Sequence, residues 1–181
     1  MQRGFYIDTD ICMGCYTCMA ACKNWNDVPP QVTAEPGAQG PKWRRITTVE
    51  SGVYPDARIV SVSLSCMHCG KPSCMAVCPA DAIRKRSEDG IVVVDGTKCI
   101  GCHACANACP FGVPQYGEDG TMQKCNYCLD RLLEGRQPAC VESCPPKALR
   151  SGTLEELSAM ASGKAARRLA AASDPSVWIA K

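Results

Sequence analysis

Sixteen of the 181 residues are cysteine, and they form four groups whose internal spacing repeats. Two groups, Cys12–Cys22 and Cys99–Cys109, share the spacing C-x2-C-x2-C-x3-C. The other two, Cys66–Cys78 and Cys125–Cys144, begin with C-x2-C and end with C-x3-C-P. We name the first kind type A and the second type B, so the order along the chain is A, B, A, B. Every cysteine belongs to a group, and a prediction of structure must give each one a role.

The two type A groups agree beyond their sulfur atoms. The stretch IDTDICMGC around the first matches VDGTKCIGC around the second. Asp8 and Asp95 each stand four residues before the first cysteine, and Gly14 and Gly101 each precede the second. Agreement of this kind at fixed spacing indicates an internal duplication.

Composition narrows the possibilities further. With two Phe, three Trp and 13 Pro, the chain has too little bulky apolar mass for a large core, so the cysteines must help to organise it. The formal net charge of +2 and the lack of a basic run favour neither nucleic acid nor an anionic membrane. No apolar run in the sequence is long enough to span a membrane. The stretch before Cys12 has no twin-arginine pair and is too short for a cleavable signal. Export or membrane attachment is therefore expected to need a partner.

Disulfide bonds and zinc are the alternatives to iron-sulfur clusters. Three thiols in one short C-x2-C-x2-C run cannot all reach distant partners with sound disulfide geometry. A zinc site takes two C-x2-C pairs and leaves the third cysteine of a type A run without a role. The run C-x2-C-x2-C-x3-C-P is instead the bacterial ferredoxin pattern, whose fourth cysteine ligates the other cluster. Cys99–Cys109 matches this pattern, with Pro110 in place.

Sixteen thiolates at four per site predict four [4Fe-4S] clusters. Iron in a sulfide cage binds soft thiolates well, and glycine beside a cysteine lets backbone N–H groups approach the sulfur. The clusters also change the charge. Sixteen thiolates, with four oxidised cores of about +2 each, move the formal net charge from +2 to about −6.

The rule for the fourth cysteine makes the groups work in pairs. Groups two and three are separated only by residues 79–98, which predict a hairpin of AIRKR and IVVVD around SEDG. Groups one and four then form the second pair. The predicted ligand sets are Cys12, Cys15, Cys18 and Cys144 for cluster 1; Cys125, Cys128, Cys140 and Cys22 for cluster 2; Cys66, Cys69, Cys74 and Cys109 for cluster 3; and Cys99, Cys102, Cys105 and Cys78 for cluster 4.

This pairing predicts an α+β fold of two ferredoxin-like units, one nested inside the other, organised by clusters with short strands and helices. The first unit comprises residues 1–26 and 117–152. The second comprises residues 58–116. A loop and hairpin insertion, residues 27–57, lies between them, and residues 153–181 form a C-terminal helical tail.

Local patterns predict several elements. GFYID predicts a strand, residues 27–42 a surface loop, and WRRITTVESG with RIVSVSLSC a hairpin. NYCLDRLLEG predicts a helical turn that ends at Gly135. Thr153 and Glu156 form a capping box at the start of the C-terminal helical region, which is expected to pack on the ferredoxin units.

Several polar and apolar residues near the cysteines have competing interpretations. His68 and His103 are expected to pack or hydrogen-bond, because each cluster already has four thiolates. The predicted apolar shell around the clusters consists of Met13, Met19, Met67 and Met75. Lys98 and Lys124 each precede a group, where they either raise a cluster potential or contact an acidic partner, or are solvated surface residues.

No catalytic constellation accompanies the cysteines: there is no nucleophile with a placed base, no paired-carboxylate motif and no glycine-rich phosphate loop. The sequence therefore predicts an electron carrier and not an enzyme. A stand-alone soluble polyferredoxin and a zinc-binding interaction module are the alternative functions.

Four ordered stretches resemble one known family. FYIDTDICMGCYTCMAACK, SLSCMHCGKPSCMAVCPADAI, GIVVVDGTKCIGCHACANACPFGVPQY and KCNYCLDRLLEGRQPACVESCP are similar to the four-cluster iron-sulfur subunits of the dimethyl sulfoxide reductase family, over about residues 4–157. The resemblance implies anaerobic respiration, a molybdopterin-containing catalytic subunit and a membrane anchor that exchanges electrons with quinol. It implies that the unit of groups one and four faces the catalytic subunit and the other unit faces the anchor. Some relatives have another residue in place of one cysteine of group three and bind a [3Fe-4S] cluster there. Cys102 is present in this chain, so the resemblance implies four [4Fe-4S] clusters. Co-export with the partner implies an extracytoplasmic location, with the cytoplasmic side as the alternative.

Overall fold

A computed structural model of the chain describes residues 1–29 and 40–180. Within these residues the helices are α1 Thr17–Trp25, α2 Ser73–Ala76, α3 Ala104–Ala108, α4 Leu129–Leu133, α5 Ala139–Glu142 and α6 Leu154–Ala161. The strands are β1 Arg3–Asp8, β2 Arg44–Ser51, β3 Arg58–Ser65, β4 Ile83–Lys85, β5 Val92–Val94, β6 Gln115–Tyr116, β7 Met122–Gln123, β8 Leu149–Thr153, β9 Ala166–Arg168 and β10 Val177–Ala180. Short strands alternate with short helices, as expected for the α+β class.

The largest sheet brings the start of the chain beside the segment that follows group four. Its strand order is β8-β1-β10-β9. Strand β1 runs antiparallel to β8, with Ile7 opposite Leu149, and parallel to β10, with Phe5 opposite Val177. Since β1 has neighbours on both edges and is covered on both faces, Phe5 and Ile7 are fully buried, and each such side chain contributes roughly 1.5–3 kcal/mol. The strand predicted from GFYID is confirmed.

The predicted hairpins are also confirmed. Strand β2 pairs antiparallel with β3, and β4 with β5, while β6 and β7 form a third, unpredicted hairpin. The inner face of β3 is unusual because its buried residues are Ser61, Ser63 and Ser65. The apolar residues between these serines are only partly buried. This hairpin therefore presents hydroxyl groups to the interior of the protein.

Five of the described helices, α1 to α5, begin within cysteine groups, and three of them start shortly after a C-x2-C pair. Helix α1 follows Cys15 and α3 follows Cys102, while α4 follows Cys128 and ends just before Gly135. Gly135 has a φ of +75°, a left-handed conformation that ends helices readily, so the predicted helical turn is confirmed. These short helices are too short to be stable alone, so their stability must come from tertiary contacts and from the groups that the cysteines bind.

The C-terminal region is helical only in its first part. The predicted capping box is present, since Glu156 N–H donates to the Thr153 hydroxyl at 3.1 Å and the Thr153 N–H donates back to the Glu156 carboxylate at 2.7 Å. Leu157 of this helix packs against Tyr6, as expected for a helix docked on the rest of the chain.

The prediction of a helical tail through residue 181 is wrong beyond Ala161. Gly163 follows the helix, and the chain then forms β9 and β10. The run VWIA in β10 is β-branched and aromatic, and its pairing with β1 provides backbone hydrogen bonds and burial that a further helix would lack. Residue 181 lies outside the described residues, as do residues 30–39 of the predicted surface loop. The described ends of that loop contain no strand or helix.

Candidate iron-sulfur sites

Three cavities are each lined by four cysteines. Together with the solvent at their mouths they enclose similar spaces of about 360, 330 and 340 Å³, and their walls are otherwise mainly apolar. In that order, we name them the Cys12 cavity, with Cys12, Cys15, Cys18 and Cys144; the Cys66 cavity, with Cys66, Cys69, Cys74 and Cys109; and the Cys99 cavity, with Cys78, Cys99, Cys102 and Cys105. In each cavity, three cysteines come from one group and the fourth comes from a different group. Soft sulfur donors around an apolar space fit the requirements of an iron-sulfur cluster.

The four remaining cysteines lie together in the interior, where all of them are buried. We name this set, which consists of Cys22, Cys125, Cys128 and Cys140, the Cys125 set. The side-chain amide of Asn26 lies 3.9 Å from the Cys22 sulfur and 3.8 Å from the Cys128 sulfur. Burial and then the neighbouring thiols Cys125 and Cys140 raise the pKa of Cys22, which indicates that the group-one cysteine lies close to the cysteines of group four.

Glycine has a specific role in both type A runs. Gly14 and Gly101 have φ values of +64° and +66°, in the left-handed region where a Cβ is unfavourable. The next but one residues, Tyr16 and His103, are also left-handed, with φ of 60° and ψ near 0°. The two left-handed residues of each run turn the chain twice and wrap it around its cavity. The two copies of the type A sequence therefore share one backbone conformation.

Polar groups outside the cysteine runs approach several sulfur atoms. Ser63 Oγ lies 3.3 Å from Cys18 Sγ, and Tyr116 Oη lies 3.3 Å from Cys105 Sγ. The backbone N–H of Met122 donates to Cys99 Sγ at 3.3 Å. Such donors stabilise negative charge on sulfur and are among the features that set the potential of a cluster. Neither Ser63 nor Tyr116 was predicted as a site residue.

Two buried cations lie among the thiols. Arg44 is 1 % exposed and Lys124 is 4 % exposed. Burial opposes the charge of Arg44, but the thiols Cys140, Cys125, Cys18 and Cys22 outweigh this and raise its pKa. Lys124 lines the Cys66 cavity, and its ammonium donates to the carbonyls of Val92 and Cys125. The interpretation of Lys124 as a solvated surface residue is therefore wrong, whereas Lys98 is exposed.

The thiols differ in their readiness to ionise. Burial is the main cause that raises the pKa of Cys74 and Cys140, each to about 12. The Thr17 hydroxyl, 3.4 Å from the sulfur, and the Thr17 N–H lower the pKa of the exposed Cys15. Because iron binds the thiolate, cluster assembly at the buried sites must release protons.

The histidines pack and hydrogen-bond, as predicted. His68 is fully buried, and its Nδ1 accepts a hydrogen bond from the Val92 N–H at 3.1 Å. Its burial holds the pKa well below the usual value, so the ring is neutral. His103 stacks on Tyr116, with ring centroids 3.8 Å apart.

The predicted methionine shell is only partly correct. Met67 is buried in the wall of the Cys66 cavity, and Met13 lines the Cys12 cavity although it is 66 % exposed. Met75 is exposed and Met19 is half-buried, and neither lines these cavities. Flanking a cysteine in sequence does not fix the side of the chain on which a side chain lies.

The fold and the four thiol sets define an iron-sulfur protein of the ferredoxin-like class. Residues 57–154, more than half of the chain, match a family model described as a 4Fe-4S dicluster domain, and residues 11–83 match a second model with the same description. Two dicluster domains and sixteen cysteines give four [4Fe-4S] clusters.

Curated relatives identify the family more closely. The probable anaerobic dimethyl sulfoxide reductase chain YnfG of Escherichia coli K12 is 47 % identical over 165 residues, which cover 86 % of this chain and 76 % of the relative. A chain of the anaerobic dimethyl sulfoxide reductase of the same strain is 46 % identical with the same coverage. A subunit of the sulfite dehydrogenase of Allochromatium vinosum is 36 % identical over 168 residues, covering 86 % of this chain and 70 % of the relative.

The chain belongs to the family of iron-sulfur electron-transfer proteins that includes these two chains of anaerobic dimethyl sulfoxide reductases. The predicted family, cofactors and electron-transfer role without catalysis are confirmed by these matches. Among residues 1–29 and 40–180, no helix has the length and apolar character that crossing a membrane requires.

Proposed function

We propose that the four thiol sets are the ligand sets of the four clusters. Cluster 1 would lie in the Cys12 cavity, cluster 2 in the Cys125 set, cluster 3 in the Cys66 cavity and cluster 4 in the Cys99 cavity. One observation supports this assignment above all: in every cavity, three cysteines come from one group and the fourth comes from another, as the ferredoxin pattern requires. We call this the exchange between groups.

The same exchange supports two nested ferredoxin-like units. Groups one and four would form one unit from residues 1–26 and 117–152, and groups two and three the other within residues 58–116. The pairing of β1 with β8 favours this arrangement, because it holds together the segments that flank groups one and four. Since β2 and β3 form one hairpin, we extend the insertion from residue 57 through Ser65, so that the second unit begins at Cys66 and not at residue 58. Residues 153–180 then support the first unit through α6 and β10.

The clusters would form a relay whose two ends reach the surface. Cys15 in the Cys12 cavity and Cys102 in the Cys99 cavity are the exposed cysteines, whereas the whole Cys125 set is buried. Ile11, Met13 and Tyr16 are exposed apolar residues beside Cys15, and Ile100 is 68 % exposed beside Cys102. Electrons would enter at one end and leave at the other, since a partner can approach a cluster closely only where its ligands are exposed.

The partners follow from the relatives, which are named as chains or subunits of larger oxidoreductases. The chain would carry single electrons between a quinol-linked membrane anchor and a molybdopterin-containing catalytic subunit, with cluster 1 facing the catalytic subunit. It would be held at the membrane by these partners, on the extracytoplasmic face. The terminal substrate belongs to the catalytic partner.

Anaerobic purification of the chain with its natural partners tests the function. The expected material is brown, contains about 16 iron and 16 sulfide per chain, and gives paramagnetic signals after reduction with dithionite. A large subunit that contains molybdenum should co-purify. Zinc without sulfide would support the interaction module, and a fully loaded chain without any partner would support the stand-alone polyferredoxin.

Single cysteine replacements test the ligand sets. Cys18→Ser and Cys144→Ser should both remove or alter the signal of the same cluster, although these cysteines lie in different groups. Cys22→Ser should affect a different cluster, although Cys22 is only four residues from Cys18 in sequence. Loss of one common signal in Cys18→Ser and Cys22→Ser would contradict the exchange between groups.

A further inference from the structure

Arg44 is a buried cation that has no carboxylate partner among residues 1–29 and 40–180. Its guanidinium lies over the Phe5 ring, 4.5 Å from the centroid, and its Nε has no hydrogen-bond acceptor among the described residues. No Asp or Glu of residues 1–29 and 40–180 lies within ion-pair distance of it. A buried charge is strongly unfavourable unless an opposite charge is near. The anionic groups that can serve here are the cysteine ligands around it.

Hydrogen bonds connect Arg44 to one of these ligands. Arg44 Nη1 donates to Ser63 Oγ at 3.0 Å, and a guanidinium has donors only. The Ser63 oxygen is therefore the acceptor in that contact, which leaves its own proton free for another partner. Cys18 Sγ lies 3.3 Å from the same oxygen. A thiolate that binds iron has no proton to donate, so in the loaded protein the Ser63 hydroxyl donates to the sulfur. This order fixes a direction from cation to hydroxyl to thiolate.

The other terminal nitrogen of the guanidinium, Nη2, contacts a different serine. Arg44 Nη2 donates to Ser65 Oγ at 2.7 Å, and the Ser65 hydroxyl lies 3.4 Å from the carbonyl oxygen of Cys66. This contact anchors the guanidinium but reaches no sulfur. Ser63 and Ser65 thus occupy alternate positions on the same face of β3 and both accept from Arg44. They differ in that Ser63 contacts a cysteine sulfur and Ser65 does not.

We propose that Arg44 and Ser63 are positioning residues that raise the reduction potentials of clusters 1 and 2. The inference rests on the ligand sets proposed above, in which Cys18 belongs to cluster 1 and the Cys125 set to cluster 2. Reduction by one electron from the upstream donor adds one negative charge to a cluster. Arg44 stabilises that charge on either cluster, because its guanidinium lies over Phe5, which belongs to one buried hydrophobic core with Cys18, Cys125 and Cys140, whereas the Ser63 hydroxyl acts on cluster 1 alone.

Redox titration of the loaded chain, followed by paramagnetic resonance, tests the proposal. Arg44→Met keeps the bulk of the side chain and removes its charge. At the wild-type midpoint, we expect the ratio of reduced to oxidised cluster to fall about tenfold for clusters 1 and 2, which is about 59 mV for one electron. Arg44→Lys, which keeps the charge, should recover most of this loss. Clusters 3 and 4 should not change.

The serine pair gives a matched control. Ser63→Ala should lower the ratio for cluster 1 about threefold and leave cluster 2 unchanged, because only Cys18 loses a hydrogen bond. Ser65→Ala removes a contact to Arg44 from the same strand and should shift neither potential. Iron and sulfide contents must equal those of the wild type in each variant that is compared.

Two results would overturn the proposal. One is a fully loaded Arg44→Met protein with unshifted potentials, and the other is an equal shift in all four clusters. If Arg44→Met does not load its clusters, Ser63→Ala decides, and an unshifted cluster 1 in that variant overturns the inference. A wild type that holds fewer than four clusters would instead overturn the ligand assignment itself.

Discussion

Cys18 and Cys105 occupy the same place in the two copies of the type A run, but their surroundings differ. Both runs contain a left-handed glycine and a left-handed residue before the helix. The Cys18 sulfur contacts Ser63, which is backed by the buried Arg44. The Cys105 sulfur contacts Tyr116. The comparison teaches that the repeat fixes the positions of the thiolates, whereas segments outside the repeat set their electrostatic environment.

A second difference lies at the exposed cysteines. Thr17 donates a hydrogen bond to Cys15, but the residue at the matching position after Cys102 is Ala104, which has no hydroxyl. The two ends of the proposed relay therefore have the same backbone and different hydrogen bonds. A duplicated module has become two centres whose potentials are expected to differ.

The largest expected effect comes from limited removal of iron. With ferricyanide and a chelator under controlled conditions, about half of the iron should leave in a first phase, because Cys15 and Cys102, the proposed ligands of clusters 1 and 4, are exposed. The signal of cluster 2, whose proposed ligands are all buried, should persist through that phase. Iron release and paramagnetic resonance measure the two quantities. Loss of cluster 2 at the same rate as the others would contradict the proposal that it lies in the interior while clusters 1 and 4 lie at the surface.

The shared backbone is tested by glycine replacement. Gly101→Ala and Gly14→Ala should each lower the free energy of unfolding by about 2 kcal/mol, because a Cβ is strained in the left-handed region. A Cβ at position 101 would lie 2.9 Å from the backbone oxygen of Gly120, whereas one at position 14 would lie 2.6 Å from the Ser61 hydroxyl.

Thermal unfolding of the loaded protein can separate these two contacts. Adding Ser61→Ala should recover part of the loss in Gly14→Ala, since the contact is with a side chain. No side-chain replacement should rescue Gly101→Ala in the same way. Full tolerance of both alanines would show that the runs do not need their glycine conformation.

Tyr116→Phe should have a smaller effect, confined to cluster 4. Removing the hydroxyl deletes one hydrogen bond to a thiolate, so the ratio of reduced to oxidised cluster at the wild-type midpoint should fall about threefold. Redox titration measures the shift, and Tyr54→Phe at the exposed tip of the β2–β3 hairpin is the matched control. A shift of cluster 1 in Tyr116→Phe would show that the effect is not local.

The smallest effect is expected at Thr17. Thr17→Ala should lower the ratio of reduced to oxidised cluster 1 by less than about twofold, because solvent replaces most of an exposed hydrogen bond. The reciprocal change Ala104→Thr should raise the ratio for cluster 4 by a similar small factor. A larger change in the redox ratio for Thr17→Ala than for Tyr116→Phe would contradict the expectation that the more buried hydrogen bond has the larger effect.

The sequence was sufficient for the features that depend on local spacing. The four cysteine groups, the three predicted β elements and the capping box at Thr153 depend on residues close together in the chain, and the structure contains each element. The duplicated spacing also led to the sets of thiols that line the cavities, because a cluster imposes its geometry on any chain that binds it.

Contacts made over long sequence distances could not be predicted in this way. Arg44 belongs to a stretch that predicts a strand, and nothing in that stretch shows that its charge is buried. One signal was available, however. Serine at every second position of RIVSVSLSC indicates a polar face, and the structure turns that face inward toward Arg44 and Cys18. The two interpretations of Lys124 stayed open at the sequence level for the same reason, since burial is decided by other segments.

The parallel neighbour of β1 has a consequence for biosynthesis. Strand β10 pairs with β1, and the Thr9 hydroxyl donates to the carbonyl of Ala180 at 2.7 Å, next to group one. Residues 3–8 leave the ribosome long before residues 177–180, and their sheet is incomplete until those later residues have emerged. A stalled or truncated chain therefore lacks a finished scaffold for its earliest cysteines, so iron insertion there is expected to follow translation.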